Sequence, residues 1–282
     1  METKTIVIGA TGVVGGLIVR QLVEAGERPI GLSRRHMIGA DIDWVRGDLT
    51  VPQGLRLPLC TTMFCTADAR LLVQALPCIV RTGSKRLVFF TSTSIITKMD
   101  SDMEEERIGV RAWADAEARI IETCQRHNIE WTALRPTLIY LEGRDHNITT
   151  MSRLIRRIGF LPIVGSAKGL RQPVHAEDVA KGAVCASRRP EAANKIYILS
   201  GGETITYREM VGRVFDGLNK RRVIVPLPKA LWIVGFLLAK PLFPAANVGW
   251  GTRMQQDMAF DDSEARRDFC WPPRGFHPDF TP

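Results

Sequence analysis

Residues 9–15 read GATGVVG, with glycines at positions 9, 12 and 15. Their surroundings give the stretch its meaning. Residues 4–9, KTIVIG, form a short β-branched run that ends on glycine, which predicts a buried strand. Beyond the turn, Val14, Leu17, Ile18, Leu22 and Val23 recur at helical spacing. Strand, glycine turn and helix in that order predict a phosphate loop. Gly9 permits the tight turn, Gly12 lets the backbone approach a pyrophosphate, and Gly15 lets the helix pack on the strand. The helix start adds unpaired N–H groups and a positive dipole end. Thr11, Val13 and Val14 complete the expected cofactor-contacting loop.

The alternation continues. Further strands are predicted at 29–33, at 44–50 (ending at Asp48), at 61–67, 86–94 and 129–140, with helices over 69–82 and 104–127. Strands alternating with helices imply an α/β protein with a Rossmann-type, doubly wound parallel sheet. After Tyr140 the pattern loosens into helices at 148–159, 177–188 and 207–219, with a short strand at 196–201 between the last two. The expected division is a dinucleotide-binding domain over 1–145. A smaller C-terminal substrate or cap domain follows over 146–282, partly interleaved with the first.

Composition narrows the partners. The 282 residues carry a net charge of +8, with 45% hydrophobic and 24% charged residues, as in a soluble globular protein. The apolar run TIVIG follows Met1 almost at once, so no secretory leader is expected. Six cysteines without a CxxC pair read as small buried hydrophobes in a reducing, cytoplasmic setting, and no metal site is expected. Basic residues stand in scattered pairs rather than one aromatic-interleaved run, which argues against nucleic acid and for anionic small molecules. Residues 230–239, ALWIVGFLLA, are continuously apolar, but a membrane-spanning helix needs about 20 such residues. They read as a helix packed on the cap. The alternatives are a patch for a membrane surface, for a lipid-linked substrate or for the second subunit of a homodimer.

The end of the second strand bears on cofactor type. An acid there binds the ribose hydroxyls of NAD, whereas this chain has Ser33-Arg34-Arg35. Two guanidiniums suit a 2′-phosphate, so NADP(H) is favoured over NAD(H). Asp48 and Leu49, in GDL, are expected at the adenine end, with a turn-capping role as the alternative for Asp48.

Taken together, GATGVVG, GDLT (47–50), FFTSTS (89–94) and LRPTLIY (134–140) resemble the short-chain dehydrogenase/reductase superfamily. More narrowly, they resemble its extended nucleotide-sugar epimerase/dehydratase branch. GLRQPVHAEDVA (169–180) and MAFDDSEARRDFCWPPRGF (258–276) extend the likeness nearly to the C-terminus. The resemblance implies a nucleotide cofactor on the first domain and a substrate that is often a nucleoside-diphosphate sugar. It implies substrate contacts for Arg171 and Asn147.

One departure is sharp. The branch carries Tyr-x-x-x-Lys on the helix after the fifth strand, the Tyr passing a proton and the Lys lowering its pKa. That helix has neither residue here; Trp113 and Glu117 fall in the two slots. Glu117 lies within the apolar stripe Trp113, Ala116, Ile120 and Cys124. It therefore needs a partner such as an arginine, or serves as a general acid or base. Ser92 and Thr93 at the end of the fifth strand, Lys98 in the next loop and Tyr140 are the other catalytic candidates. Three functions compete. The first is an NAD(P)-dependent oxidoreductase or epimerase with a non-standard proton donor, and it is favoured. The second is a non-catalytic NADP(H)-binding accessory or sensor protein, as some respiratory-complex accessory subunits are. The third is a cofactor-independent isomerase or lyase.

Overall fold

The computed structural model describes residues 4–233, 251 and 253–281. Contacts divide the chain into two compact units. The first comprises Met1–Thr137, Ala176–Leu199 and Asp261–Pro272; the second comprises Leu138–His175, Ser200–Phe260 and Pro273–Pro282.

The first unit is built on a seven-stranded sheet. Its strands are β1 (Thr5–Ile8), β2 (Ile30–Ser33), β3 (Asp43–Arg46), β4 (Thr62–Cys65), β5 (Arg86–Phe90), β6 (Glu130–Pro136) and β11 (Lys195–Leu199). They run parallel in the order β11-β6-β5-β4-β1-β2-β3. All four residues of β1 are buried, as a central strand covered on both faces must be. Ile6, Ile8, Met63, Cys65, Leu87 and Phe89 alternate along β1, β4 and β5 to face one core. Against it pack Leu72, Ala75 and Ile79 of α2 (Ala69–Arg81) and Ala116, Ile120 and Cys124 of α4 (Glu104–Arg126). Helices α1 (Val13–Glu24) and α6 (Ala176–Ser187) pack against each other. α3 (Ser94–Thr97) is one turn after β5, and α8 (Ser263–Phe269) belongs to the same unit.

Among the described residues the second unit holds three two-stranded sheets. β7 (Ile139–Tyr140) pairs with β10 (Val174–His175), β9 (Leu170–Arg171) with β12 (Ile205–Thr206), and β8 (Leu161–Val164) with β13 (Ile224–Leu227). Helices α5 (Asn147–Ile158) and α7 (Tyr207–Gly217) pack on one core with Tyr140, Ile163, Phe215 and Phe276.

Three sequence expectations are corrected. The strand at 196–201 does not belong to the smaller half: β11 pairs residue for residue with β6, from Lys195↔Thr132 to Leu199↔Pro136. Its apolar run Ile196-Tyr197-Ile198-Leu199 serves the main sheet. The run 129–140 is two strands, because the ladder stops at Pro136 and Ile139–Tyr140 pair elsewhere. β3 ends at Arg46, so Asp48 lies in the turn beyond it. Of the cysteines, Cys60, Cys65, Cys78 and Cys124 are buried, Cys185 is half-buried and Cys270 exposed, and all are free thiols. Burial pushes Cys65 and Cys124 up to about 12. Residues 229–233 are helical; residues 234–239 of the apolar stretch lie outside the described residues. Among the described residues no helix is long and apolar enough to cross a membrane.

Candidate functional site

Sheet order reverses between β4 and β1, and in open α/β sheets ligands bind outside the carboxyl ends of the strands at such a point. The glycine turn leaves β1 there. Gly9 has φ +82°, in the left-handed region, and its carbonyl accepts from Gly12 N at 2.9 Å. A Cβ on Gly15 would overlap the Gly9 carbonyl oxygen, and one on Gly9 would overlap Thr66 Oγ1. A Cβ on Gly12 would meet only the Gly9 carbonyl oxygen, at 3.2 Å. Gly12 is the N-cap of α1 and brings no side chain to the first turn, which contains no acid. Thr11 is exposed, Val13 and Val14 half-buried.

At the end of β2, Ser33 is buried and its Oγ accepts from Arg35 N at 3.1 Å. Arg34 and Arg35 are exposed and form no ion pair among the described residues. Asp48 caps its own turn, accepting from Thr50 N at 2.9 Å and Thr50 Oγ1 at 2.8 Å. These bonds from Thr50, first its backbone N–H, hold the Asp48 carboxyl below the usual range. Leu49 is buried in the core.

The two slots on α4 are filled by residues with partners of their own. Trp113 Nε1 donates to Asp68 Oδ2 at 3.3 Å, and Arg70 lies over the indole, 5.7 Å from its centroid. Asp68 caps α2 through Arg70 N, and its ion pair with Arg70 holds its carboxyl below the ordinary range. Glu117, only 4% exposed, forms an ion pair with Arg135 of β6. Arg135 Nε donates to Glu117 Oε2 at 3.1 Å, and Thr91 Oγ1 donates to the same oxygen at 2.7 Å.

The remaining candidates of the first unit follow β5. Ser92 Oγ donates to Ser94 Oγ and accepts from Ser94 N, both at 3.1 Å. Thr93 is buried, and its hydroxyl donates to the Pro136 carbonyl at 3.2 Å. Lys98 sits 3.7 Å from the Glu106 carboxylate.

Tyr140, Asn147 and Arg171 fall in the second unit. Tyr140 is buried edge-on between His175 and Phe276, with centroids at 5.1 and 4.9 Å. Asn147 is exposed at the start of α5, which Asp145 caps through Ile148 N at 2.6 Å. Arg171 is buried, stacks 5.3 Å from the Tyr207 centroid and donates to the carbonyls of Leu170, Gln256 and Arg253. No carboxylate touches it among the described residues, and burial holds its guanidinium below the usual range.

The sequence did not single out Thr66, Asp68, Arg70 and Arg135 as neighbours of these positions, whereas Thr91 belongs to the Ser/Thr run 91–94 that the resemblance marks for hydrogen bonding. Thr66 and Asp68 directly follow β4, the next strand end at the switch point, and that placement was a usable signal. Arg135 stood in the quoted LRPTLIY. Among the described residues no group of His, Cys, Asp or Glu gathers as metal ligands.

Comparison with known proteins places this arrangement. UDP-glucose 4-epimerase of Vibrio cholerae is 22% identical over 307 residues, spanning 97% of this chain and 92% of that protein. A mitochondrial NADH dehydrogenase [ubiquinone] 1 alpha subcomplex subunit 9 of Arabidopsis thaliana is 31% identical over 142 residues, spanning 48% of this chain and 34% of that protein. Among solved structures, UDP-glucuronic acid 4-epimerase from Bacillus cereus, in complex with UDP-glucuronic acid and NAD, superposes with a TM-score of 0.70. It is 12% identical, with 96% of this chain and 94% of that chain covered. The family model for the NAD dependent epimerase/dehydratase family matches residues 61–200, from the start of β4 to just past β11. Over residues 61–200, which carry β4, β5, β6 and β11 of the parallel sheet, the chain matches the NAD dependent epimerase/dehydratase family.

Proposed function

We propose that the protein is an NAD(P)-dependent oxidoreductase or epimerase acting on a nucleoside-diphosphate sugar or a similarly anionic small molecule, without the Tyr and Lys of its family. The observation that carries the reading is the turn at Gly12. A side chain there would meet a single carbonyl oxygen, and the free N–H groups of the α1 N-terminus face the same opening. That is the shape and polarity a pyrophosphate needs. Gly9, Thr11, Gly12, Val13, Val14 and Gly15 would hold it. Arg34 and Arg35, which form no ion pair among the described residues, would take a 2′-phosphate, which supports NADP(H) over NAD(H). Asp48 and Leu49 would border the adenine. The bound dinucleotide supplies hydride transfer.

The chain's own residues would orient the substrate and move its proton. Arg171 is a buried cation with no carboxylate in contact, which suits a diphosphate, and two of its five N–H donors remain beyond the three carbonyl bonds. Asn147 is exposed and free to add a donor. Ser92 would carry the substrate oxygen's hydrogen bond, since its hydroxyl is bonded only to Ser94 among the described residues, whereas Thr93 is committed to a carbonyl. Glu117 would act through position, because Arg135 and Thr91 occupy its oxygens.

The engagement of Trp113 and Glu117 supports a second reading, a protein that holds the dinucleotide without turnover. One experiment separates the two: NADPH oxidation, or hydride exchange from labelled NADPH, across a panel of UDP- and dTDP-sugars. Turnover that slows in Ser92→Ala supports the enzyme. Tight NADPH binding with no exchange from any nucleotide sugar overturns it.

A further inference from the structure

The second unit concentrates its exposed apolar side chains in one place. Its large exposed hydrophobics among the described residues are Ile158, Phe160, Val223, Val225 and Leu231, between 36 and 58% accessible. The first four are neighbours by backbone pairing. Helix α5 ends at Ile158, Gly159 turns the chain with φ +81°, and Phe160 leads into β8. Leu161 N then donates to the Val223 carbonyl at 2.9 Å, and β13 runs beside β8 from Ile224↔Leu161 to Leu227↔Val164. Leu231 follows in the helical residues after β13.

Cations surround this strip. Arg153, Arg157, Lys220, Arg221 and Lys229 are exposed and form no ion pair among the described residues. Arg222 is different, being paired with Glu209 and Asp216. No Asp or Glu occurs in the sequence between 146 and 176 or between 217 and 256, so neither segment offers a carboxylate to neutralise these charges.

We infer that this face of the second unit docks on the surface of an anionic phospholipid bilayer. Exposed aliphatic and aromatic side chains flanked by Lys and Arg without ion-pair partners match a headgroup layer of negative charge over an apolar interior. A second copy of the chain fits poorly. A symmetric dimer through this patch would bring two like-charged sets of unpaired cations together. Nucleic acid fits less well, because four of the five apolar side chains are aliphatic and offer bases no stacking platform. The inference is independent of the cofactor and substrate reading.

The test is flotation of the full chain with vesicles. One set contains equal parts phosphatidylcholine and phosphatidylglycerol, the other phosphatidylcholine alone. The expected result is binding to the first set only, weakening as salt is added. Arg157→Gln with Arg221→Gln should lower the partition coefficient about 25-fold, at about fivefold per charge removed. Phe160→Ser with Val225→Ser should lower it at every salt concentration. Thermal melting of both variants, unchanged within about 2 °C, shows that folding is intact. The inference is overturned by equal binding to neutral vesicles, by no flotation at all, or by variants that float as well as the parent. It is equally overturned if both variants abolish self-association in sedimentation, which would assign the patch to a second copy. Retention on duplex DNA lost in the charge variant, without vesicle binding, would assign it to nucleic acid.

Discussion

Buried Glu117 of α4 and half-buried Arg135 of β6 form an ion pair inside the first unit, with Thr91 as a third member. By the resemblance drawn from the sequence, this glutamate takes the slot of the branch's lysine. Removing one partner of a buried pair leaves an uncompensated charge, which costs on the order of 3 kcal/mol. Glu117→Gln should therefore lower the free energy of unfolding by about that amount, with a matching fall in the denaturation midpoint. Glu117→Lys should cost more, because it sets an ammonium against the Arg135 guanidinium. Urea titrations of both variants check this. A Lys variant as stable as the parent would contradict it, and would mean that the family's lysine can simply be restored.

The glycine turn separates a folding role from a binding role. Gly15→Ala drives a methyl group into the Gly9 carbonyl oxygen, and backbone cannot step aside cheaply. It should lose stability by about 1–3 kcal/mol, as overpacked sites do. Gly12→Ala meets one oxygen at 3.2 Å and should melt within a few degrees of the parent. Its methyl group would nevertheless stand in the opening proposed for the pyrophosphate. Calorimetry paired with NADPH fluorescence titration reads both effects. The expected pattern is a stable Gly12→Ala protein that no longer binds. Undiminished NADPH binding by that variant would remove the cradle argument.

Much of this was legible beforehand because it rests on local chemistry. The turn needs glycines whatever surrounds it, and the strand–helix alternation reports the parallel sheet through hydrophobic spacing. Less legible was what depends on partners far apart in sequence. Glu117 plainly needed a partner, but Arg135 is reached only once β6 lies beside β5. The indole of Trp113 finds Asp68, 45 residues earlier, only when α4 packs on α2. Likewise Ile196–Leu199 looks like any short apolar run until β6 is known to offer it a free edge.

Arg34 and Arg35 test the cofactor preference. Hydrogen bonds to charged groups contribute about 1.5–3 kcal/mol each, so losing both guanidiniums should weaken NADP binding at least a hundredfold. NAD has no 2′-phosphate and should lose little. Calorimetric titration of Arg34→Ala with Arg35→Ala against both dinucleotides measures the ratio. Equal losses would show that the arginines attract anions in general and do not read the 2′-phosphate.

Asp268 provides a pH-dependent test of the first unit. Arg267 first, then Lys195 and Tyr197, stabilise its ionised carboxylate and push its pKa far below the ordinary value. The folded pKa is thus depressed relative to an unfolded value of about 3.9. The stability this group contributes is fully present above about pH 4, where the carboxylate is ionised in both states. It is lost as the pH falls below that, because the unfolded chain takes up the proton first. Asp268→Asn should therefore be less stable than the parent at neutral pH, and the gap should narrow as the pH falls through the acid limb. Denaturation midpoints measured between neutral pH and the acid transition check the slope. A gap that stays constant across that range would assign the aspartate's contribution to packing instead of charge.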